Sequence, residues 1–140
     1  DLTEASEEER KLLASWISYY KEKRALLHTG KTIRTEHAEP NAYVHGVVAE
    51  DKSEAIFMLA QLRPSQFSRP ANIRLTGLDS HATYEVKVVE PAGAAQSMQL
   101  KPPTWFAGAK LSGSALASFG LKSPVLRPEQ ALLIEAKRIS

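Results

Sequence analysis

The chain has no cysteine among its 140 residues, which excludes a disulfide framework, a thiolate metal site and a cysteine nucleophile together. The same absence agrees with a reducing, cytoplasmic location. Charge of one sign is also lacking, because 18 Lys and Arg face 16 Asp and Glu for a formal net charge of +2. The cations occur singly or in short clusters, so no phosphate-tracking surface for nucleic acid or an anionic membrane is expected. No apolar run approaches the roughly 20 residues a membrane span needs. Aspartate is scarce, with Asp1, Asp51 and Asp79 the only three.

What is present divides into two parts. Residues 8–30 read as one amphipathic helix. Thr3 or Ser6 supplies the N-cap, and Glu7, Glu8 and Glu9 place carboxylates at the positive end of the helix dipole. Leu13, Trp16, Ile17, Tyr20, Arg24 and Leu27 recur at spacings of three and four, and Leu12, Tyr19 and Leu26 widen that stripe. Lys21, Lys23, Arg24 and His28 load the last turns with cations, and Gly30 marks the C-terminal end. A stripe of this width predicts packing against a partner surface. The chain opens at Asp1, without an initiator Met or a signal peptide. The helix is therefore expected to be the end of a preceding domain.

From Lys31 onward the punctuation changes, with all eight prolines and six of the seven glycines in this part. Between the breaks lie short apolar segments at 42–49, 55–62, 71–75, 82–90, 97–101 and 131–139. Regular short strands between turn signals predict an antiparallel β-sandwich of Greek-key type behind one long N-terminal helix. Tyr84, Val86 and Val88 alternate with Glu85 and Lys87, giving one face to the core and one to water. The run from Ala55 to Ala60 is apolar throughout. It reads as a central strand rather than a buried helix, because turn signals close it on both sides. Residues 111–121 are poor in β-branched side chains and predict a short helical or irregular link.

The chemistry-bearing residues form no catalytic constellation. Hydrolysis of a glycosidic bond needs two carboxyl groups facing each other across it, whereas Asp1 is terminal and Asp51 and Asp79 sit in turns. Turn aspartates ordinarily bond nearby backbone N–H groups. His28, His37, His45 and His81 show no metal-ligand spacing, and His45 is expected to face the core beside Tyr43. Neither a nucleophile elbow nor a phosphate loop is present. No catalytic residue, metal site or cofactor is predicted. Trp105-Phe106, after Pro102-Pro103-Thr104, is the one pair that could present aromatics to a sugar ring; the alternative is a loop tucking both side chains over the sandwich.

Three stretches together resemble a known family. The helix from Trp16 to Gly30, with Tyr20-Lys21, Arg24, Leu26 and Gly30 in a YK-x-x-R-x-L-x-x-x-G pattern, followed by Lys31-Thr32-Ile33-Arg34, is similar to the end of the catalytic barrel in bacterial α-galactosidases of glycoside hydrolase family 36. Arg74-Leu75-Thr76-Gly77-Leu78-Asp79-Ser80-His81-Ala82-Thr83-Tyr84-Glu85-Val86 resembles that family's strand–GLD–strand hairpin. Ser112-Gly113-Ser114-Ala115-Leu116-Ala117-Ser118-Phe119-Gly120-Leu121, with Pro124 behind it, resembles the segment before the closing strand.

The resemblance implies that residues 1–30 belong to the end of a catalytic barrel and 31–140 form the C-terminal β-sandwich domain. The parent would be a retaining exo-glycosidase removing terminal α-galactose from sugars such as melibiose and raffinose. Its nucleophile lies in a Lys-Trp-Asp motif, which neither Trp16 nor Trp105 stands in, so no catalytic residue carries over. The implied role is structural packing or assembly. Leu12, Trp16, Tyr19 and Tyr20 are the predicted interface, either with the parent's barrel or with a second copy of the chain. Two alternatives stay open: a carbohydrate-binding sandwich using Trp105 and Phe106, and a protein-interaction module unrelated to sugars.

Overall fold

A computed structural model describes residues 6–37, 42–61, 63, 71–89, 103–124 and 130–140. The helix forms as two pieces, α1 (Glu7–Glu22) and α2 (Arg24–Thr29), divided at Lys23, whose φ of −95° and ψ of 6° leave the helical range. Ser6 is the N-cap, its side chain accepting from the Glu9 amide at 3.1 Å; Thr3 lies outside the described residues. Gly30 ends α2 in an extended conformation, φ −74°, so a left-handed cap is not the reason for glycine there. Space is the reason. A Cβ at Gly30 would lie 2.6 Å from a Val47 methyl and 2.7 Å from the Leu26 carbonyl oxygen.

The strands are β1 (Lys31–Thr35), β2 (Ala42–Val48), β3 (Glu54–Gln61), β4 (Thr83–Val88), β5 (Ala109–Ser112) and β6 (Gln130–Arg138). They form one six-stranded antiparallel sheet in the order β1-β2-β3-β6-β4-β5. The fold is mainly β with an N-terminal helix, as the turn spacing predicts. The apolar run of β3 lies at the centre, paired to β2 on one side and β6 on the other. Its inner face carries Ala55, Phe57 and Leu59, all buried. Val44, Tyr84, Val86, Leu132 and Ile134 join them from neighbouring strands.

Among the described residues, the layer over this inner face consists of short pieces. Ile73 makes a single antiparallel bridge with Leu121, so the strand predicted at 71–75 is reduced to one paired residue. A 3₁₀ turn (Thr104–Ala107) contributes Trp105, and the short helix α3 (Gly113–Ser118) contributes Leu116. Residues 111–121 are therefore a strand end and a helix, close to the predicted link. The segment predicted at 97–101 lies outside the described residues.

The tight turn before β4 shows why two glycines are needed. Gly77 has φ +88°, a left-handed backbone open to glycine at little cost. Gly113 begins α3 directly against the backbone of Asp79 and Ser80, leaving no room for a methyl group. The Tyr84 hydroxyl joins this corner to a distant loop. It donates to the Lys52 carbonyl at 2.7 Å and accepts from the Asp79 amide at 3.0 Å.

Tyr43, His45 and Val47 point to the outer face of the sheet by strand alternation. His45 thus lies away from the core, half-buried against Tyr43 with ring centroids 6.4 Å apart. The expectation of a core-facing histidine fails because Ala42, Val44 and Val48 take the inward positions of β2.

Candidate functional site

The two faces of the helical segment have different fates. Tyr19, Lys23 and Leu26, spaced by four and three, turn toward the outer face of the sheet. Leu26 is buried, the Tyr19 hydroxyl donates to Glu135 Oε2 at 3.1 Å, and Lys23 Nζ lies 3.5 Å from Glu54 Oε2 and 3.6 Å from Glu135 Oε2. The predicted stripe faces the other way. Leu13, Trp16, Ile17, Tyr20, Arg24 and Leu27 line an open groove of about 610 Å³.

Among the described residues, nothing covers that stripe. Leu12, Leu13 and Ile17 are each more than 40% exposed and Tyr20 is 65% exposed. Among the described residues, no side chain of α1 is buried. Trp16 is half-buried, its ring meeting Tyr19 edge to face at 6.3 Å. Full burial of one such side chain stabilises by about 1.5–3 kcal/mol, and several of them lie exposed together on one face. Of the four residues predicted as an interface, Leu12 and Tyr20 are exposed, Trp16 is half-buried, and Tyr19 bonds the sheet.

The electrostatics belong to the sheet side. Glu135 is buried on β6 with its other oxygen 3.2 Å from Lys137 Nζ. Burial pushes its carboxyl up, but the hydrogen bond from Lys137, the nearby charge of Lys23 and the Tyr19 hydroxyl outweigh it and hold it below the ordinary carboxylate range. Tyr19 is pushed well above a free phenol, first by desolvation and then by the Glu135 charge. Lys137 is raised by its hydrogen bond to Glu135. Glu54 and Glu135 are thus committed to cations rather than arranged across a vacant cleft.

The sugar-platform pair is placed differently. Trp105 is 6% exposed and belongs to the core, with its indole N–H donating to the Lys122 carbonyl at 2.7 Å. Phe106 packs on it edge to face, centroids 4.9 Å apart, and is partly buried against the same core. The burial of Trp105 leaves Phe106 as the more accessible ring of the pair. Asp51 and Asp79 act within turns: Asp51 Oδ1 accepts from the Ser53 amide and hydroxyl at 3.0 and 2.6 Å, and Asp79 Oδ1 accepts from the His81 amide at 3.0 Å. The Ser53 bonds hold the Asp51 carboxyl below its usual range. Among the described residues, no group of three or more His, Cys, Asp or Glu is arranged to hold a metal, and no helix is long and apolar enough to cross a membrane.

Sequence reasoning missed the Tyr19–Lys23–Glu54–Glu135 cluster. Its visible signal was Glu135 itself, one carboxylate inside the apolar run Leu132-Leu133-Ile134-Glu135-Ala136.

Comparison with known proteins gives one consistent picture. Residues 42–135 match the model of the glycosyl hydrolase family 36 C-terminal domain. An α-galactosidase of Escherichia coli is 34% identical over 125 residues, covering 85% of this chain and 18% of that protein. A family 36 α-galactosidase of Geobacillus stearothermophilus, crystallised with raffinose, superposes with a TM-score of 0.76 at 22% identity, over 99% of this chain and 17% of its own. The α-galactosidase of Lactobacillus brevis gives 0.76 at 20% identity, over 100% and 18%. The chain therefore spans less than a fifth of the length of each of these relatives. Both solved structures match the helix as well as the sheet, since nearly the whole chain is aligned.

Proposed function

This chain belongs to the glycosyl hydrolase family 36 C-terminal domains, and we propose that it is the non-catalytic C-terminal region of an α-galactosidase. In this reading residues 1–30 complete the catalytic barrel and residues 31–140 form the β-domain packed beside it. The whole enzyme hydrolyses terminal α-galactosides such as melibiose and raffinose with retention, and works in the cytoplasm. The E. coli relative, an α-galactosidase by name, supports the activity.

The observation that carries the reading is the uncovered face of α1. Leu13, Trp16, Ile17 and Tyr20 form an apolar groove that the described residues do not fill, while the opposite face is tied to the sheet. A helix with one face tied to the sheet by polar contacts and the other apolar and open suits a connection between two bodies. The barrel is the proposed occupant of the open face. Without it, two copies of the chain would pair through the same groove, which light scattering would read as a doubled mass.

The test uses the gene from which this chain comes. Its full product should release nitrophenol from a nitrophenyl α-galactoside, and the 140-residue chain alone should not. Deleting residues 31–140 from the full product should cost soluble yield and activity together. A full product inactive on α-galactosides, or one untouched by the deletion, would overturn the reading.

A further inference from the structure

The ion cluster at the helix junction does something the apolar groove cannot. The polar tethers of α1 to the sheet sit in its last turn and at the junction: Tyr19 to Glu135 at 3.1 Å, and Lys23 to Glu54 and Glu135 at 3.5 and 3.6 Å. The helical path breaks at Lys23 itself, and the lysine's side chain is only 6% exposed. Tyr19 and Lys23 converge on a single atom, Glu135 Oε2, while Lys137 holds Glu135 Oε1 at 3.2 Å. Both oxygens of one buried carboxylate are thus fixed from different directions.

Buried ion sets are weak sources of net stability, because desolvation offsets their attraction; well-packed apolar residues of similar volume often serve as well or better. They differ from apolar contacts in being directional. An apolar ridge can slide along a sheet, whereas a carboxylate with placed donors on both oxygens accepts one arrangement. We propose that Tyr19, Lys23, Glu54 and Glu135 form an orientation lock, which fixes the direction in which α1 leaves the β-domain without adding net stability. The lock then decides where the open groove points. This inference concerns the helix and the sheet of this chain and holds whatever occupies the groove.

The absence of cysteine makes the test direct. Glu8→Cys on α1 and Lys110→Cys on β5, both exposed, accept spin labels at two sites only. Double electron–electron resonance then reads the distance between them, at a dilution where light scattering reports monomer. The unaltered cluster should give one narrow distribution. Lys23→Met with Glu54→Met and Glu135→Leu removes every charge that would otherwise be stranded. It should broaden or split the distribution while leaving the urea midpoint unchanged. Tyr19→Phe, which deletes one hydroxyl, should broaden it in the same sense. A distribution unchanged in both variants would overturn the lock. A triple variant that unfolds, or whose midpoint falls, would show that the cluster supplies stability and would equally overturn the proposal.

Discussion

Replacing Tyr84 by Phe removes one oxygen atom from the fully buried side chain that joins two loops. That oxygen donates to the Lys52 carbonyl at 2.7 Å and accepts from the Asp79 amide at 3.0 Å. The ring keeps its place, since Tyr84 has no exposed surface and phenylalanine fills the same volume. A net hydrogen bond contributes about 1 kcal/mol, and a buried group left without a partner costs about 1–3 kcal/mol. Lys52 is exposed and Asp79 half-buried, so water reaches the abandoned groups in part and the cost falls at the lower end. The expected loss is about 2 kcal/mol. With a urea dependence of about 1–3 kcal/mol per molar, the midpoint should drop by roughly 1 M at an unchanged slope, followed by tryptophan fluorescence. Tyr43→Phe, on the exposed outer face, should stay within about 0.5 kcal/mol. If Tyr84→Phe were as mild as that control, the hydroxyl would not be joining the loops, and the corner would owe its shape to Gly77 and Gly113 alone.

Gly113→Ala should destabilise by about 1–3 kcal/mol, the usual cost of forcing a methyl group into filled space, because its Cβ would meet the fixed backbone at Asp79; thermal unfolding measures it. Stability should also fall at both ends of the pH range. Glu135 is held below its ordinary value of 4.5 in the folded chain, so its contribution is complete above that value and is lost as the pH falls further and the carboxyl protonates. Tyr19 and Lys137 are raised above 10.0 and 10.5, so their contributions are complete below those values and disappear as the pH climbs past them. Urea midpoints against pH, with and without Tyr19→Phe, should show the alkaline loss shrinking in the variant.

The sequence was most legible where the period was clean and the side chains were β-branched or aromatic. Thr83 to Val88 alternates strictly, and the structure buries Tyr84, Val86 and Val88 while exposing Glu85 and Lys87. The wholly apolar run of β3 was resolved as a strand by its flanking turns and became the centre of the sheet. Residues 71–75 misled because apolar composition alone predicts burial, not pairing: Ile73 and Leu75 are fully buried, yet their amides bond Leu121 and Leu116 rather than a sheet. The helix gave up its stripe but not its second face. Tyr19 and Leu26 read as the margin of the stripe and Lys23 as one of the cations of the last turns, because a lysine's partner on a distant strand leaves no signal within the helix. Trp105-Phe106 was ambiguous for a related reason, since an aromatic pair in a loop reads alike whether it caps a core or receives a sugar. The Lys122 carbonyl that satisfies the indole N–H is reached only through the fold.

The proposal that α1 joins two bodies is tested most directly by one substitution measured twice. Tyr20 is 65% exposed on the open groove, so in the isolated chain, at a dilution where light scattering reports monomer, Tyr20→Glu should change the unfolding free energy by no more than about 0.5 kcal/mol. In the full gene product the same carboxylate would be buried without a partner, where its cost is several kcal/mol, and α-galactosidase activity and soluble yield should collapse. A full product that carries Tyr20→Glu with unchanged yield and activity would place this face in solvent and contradict the account.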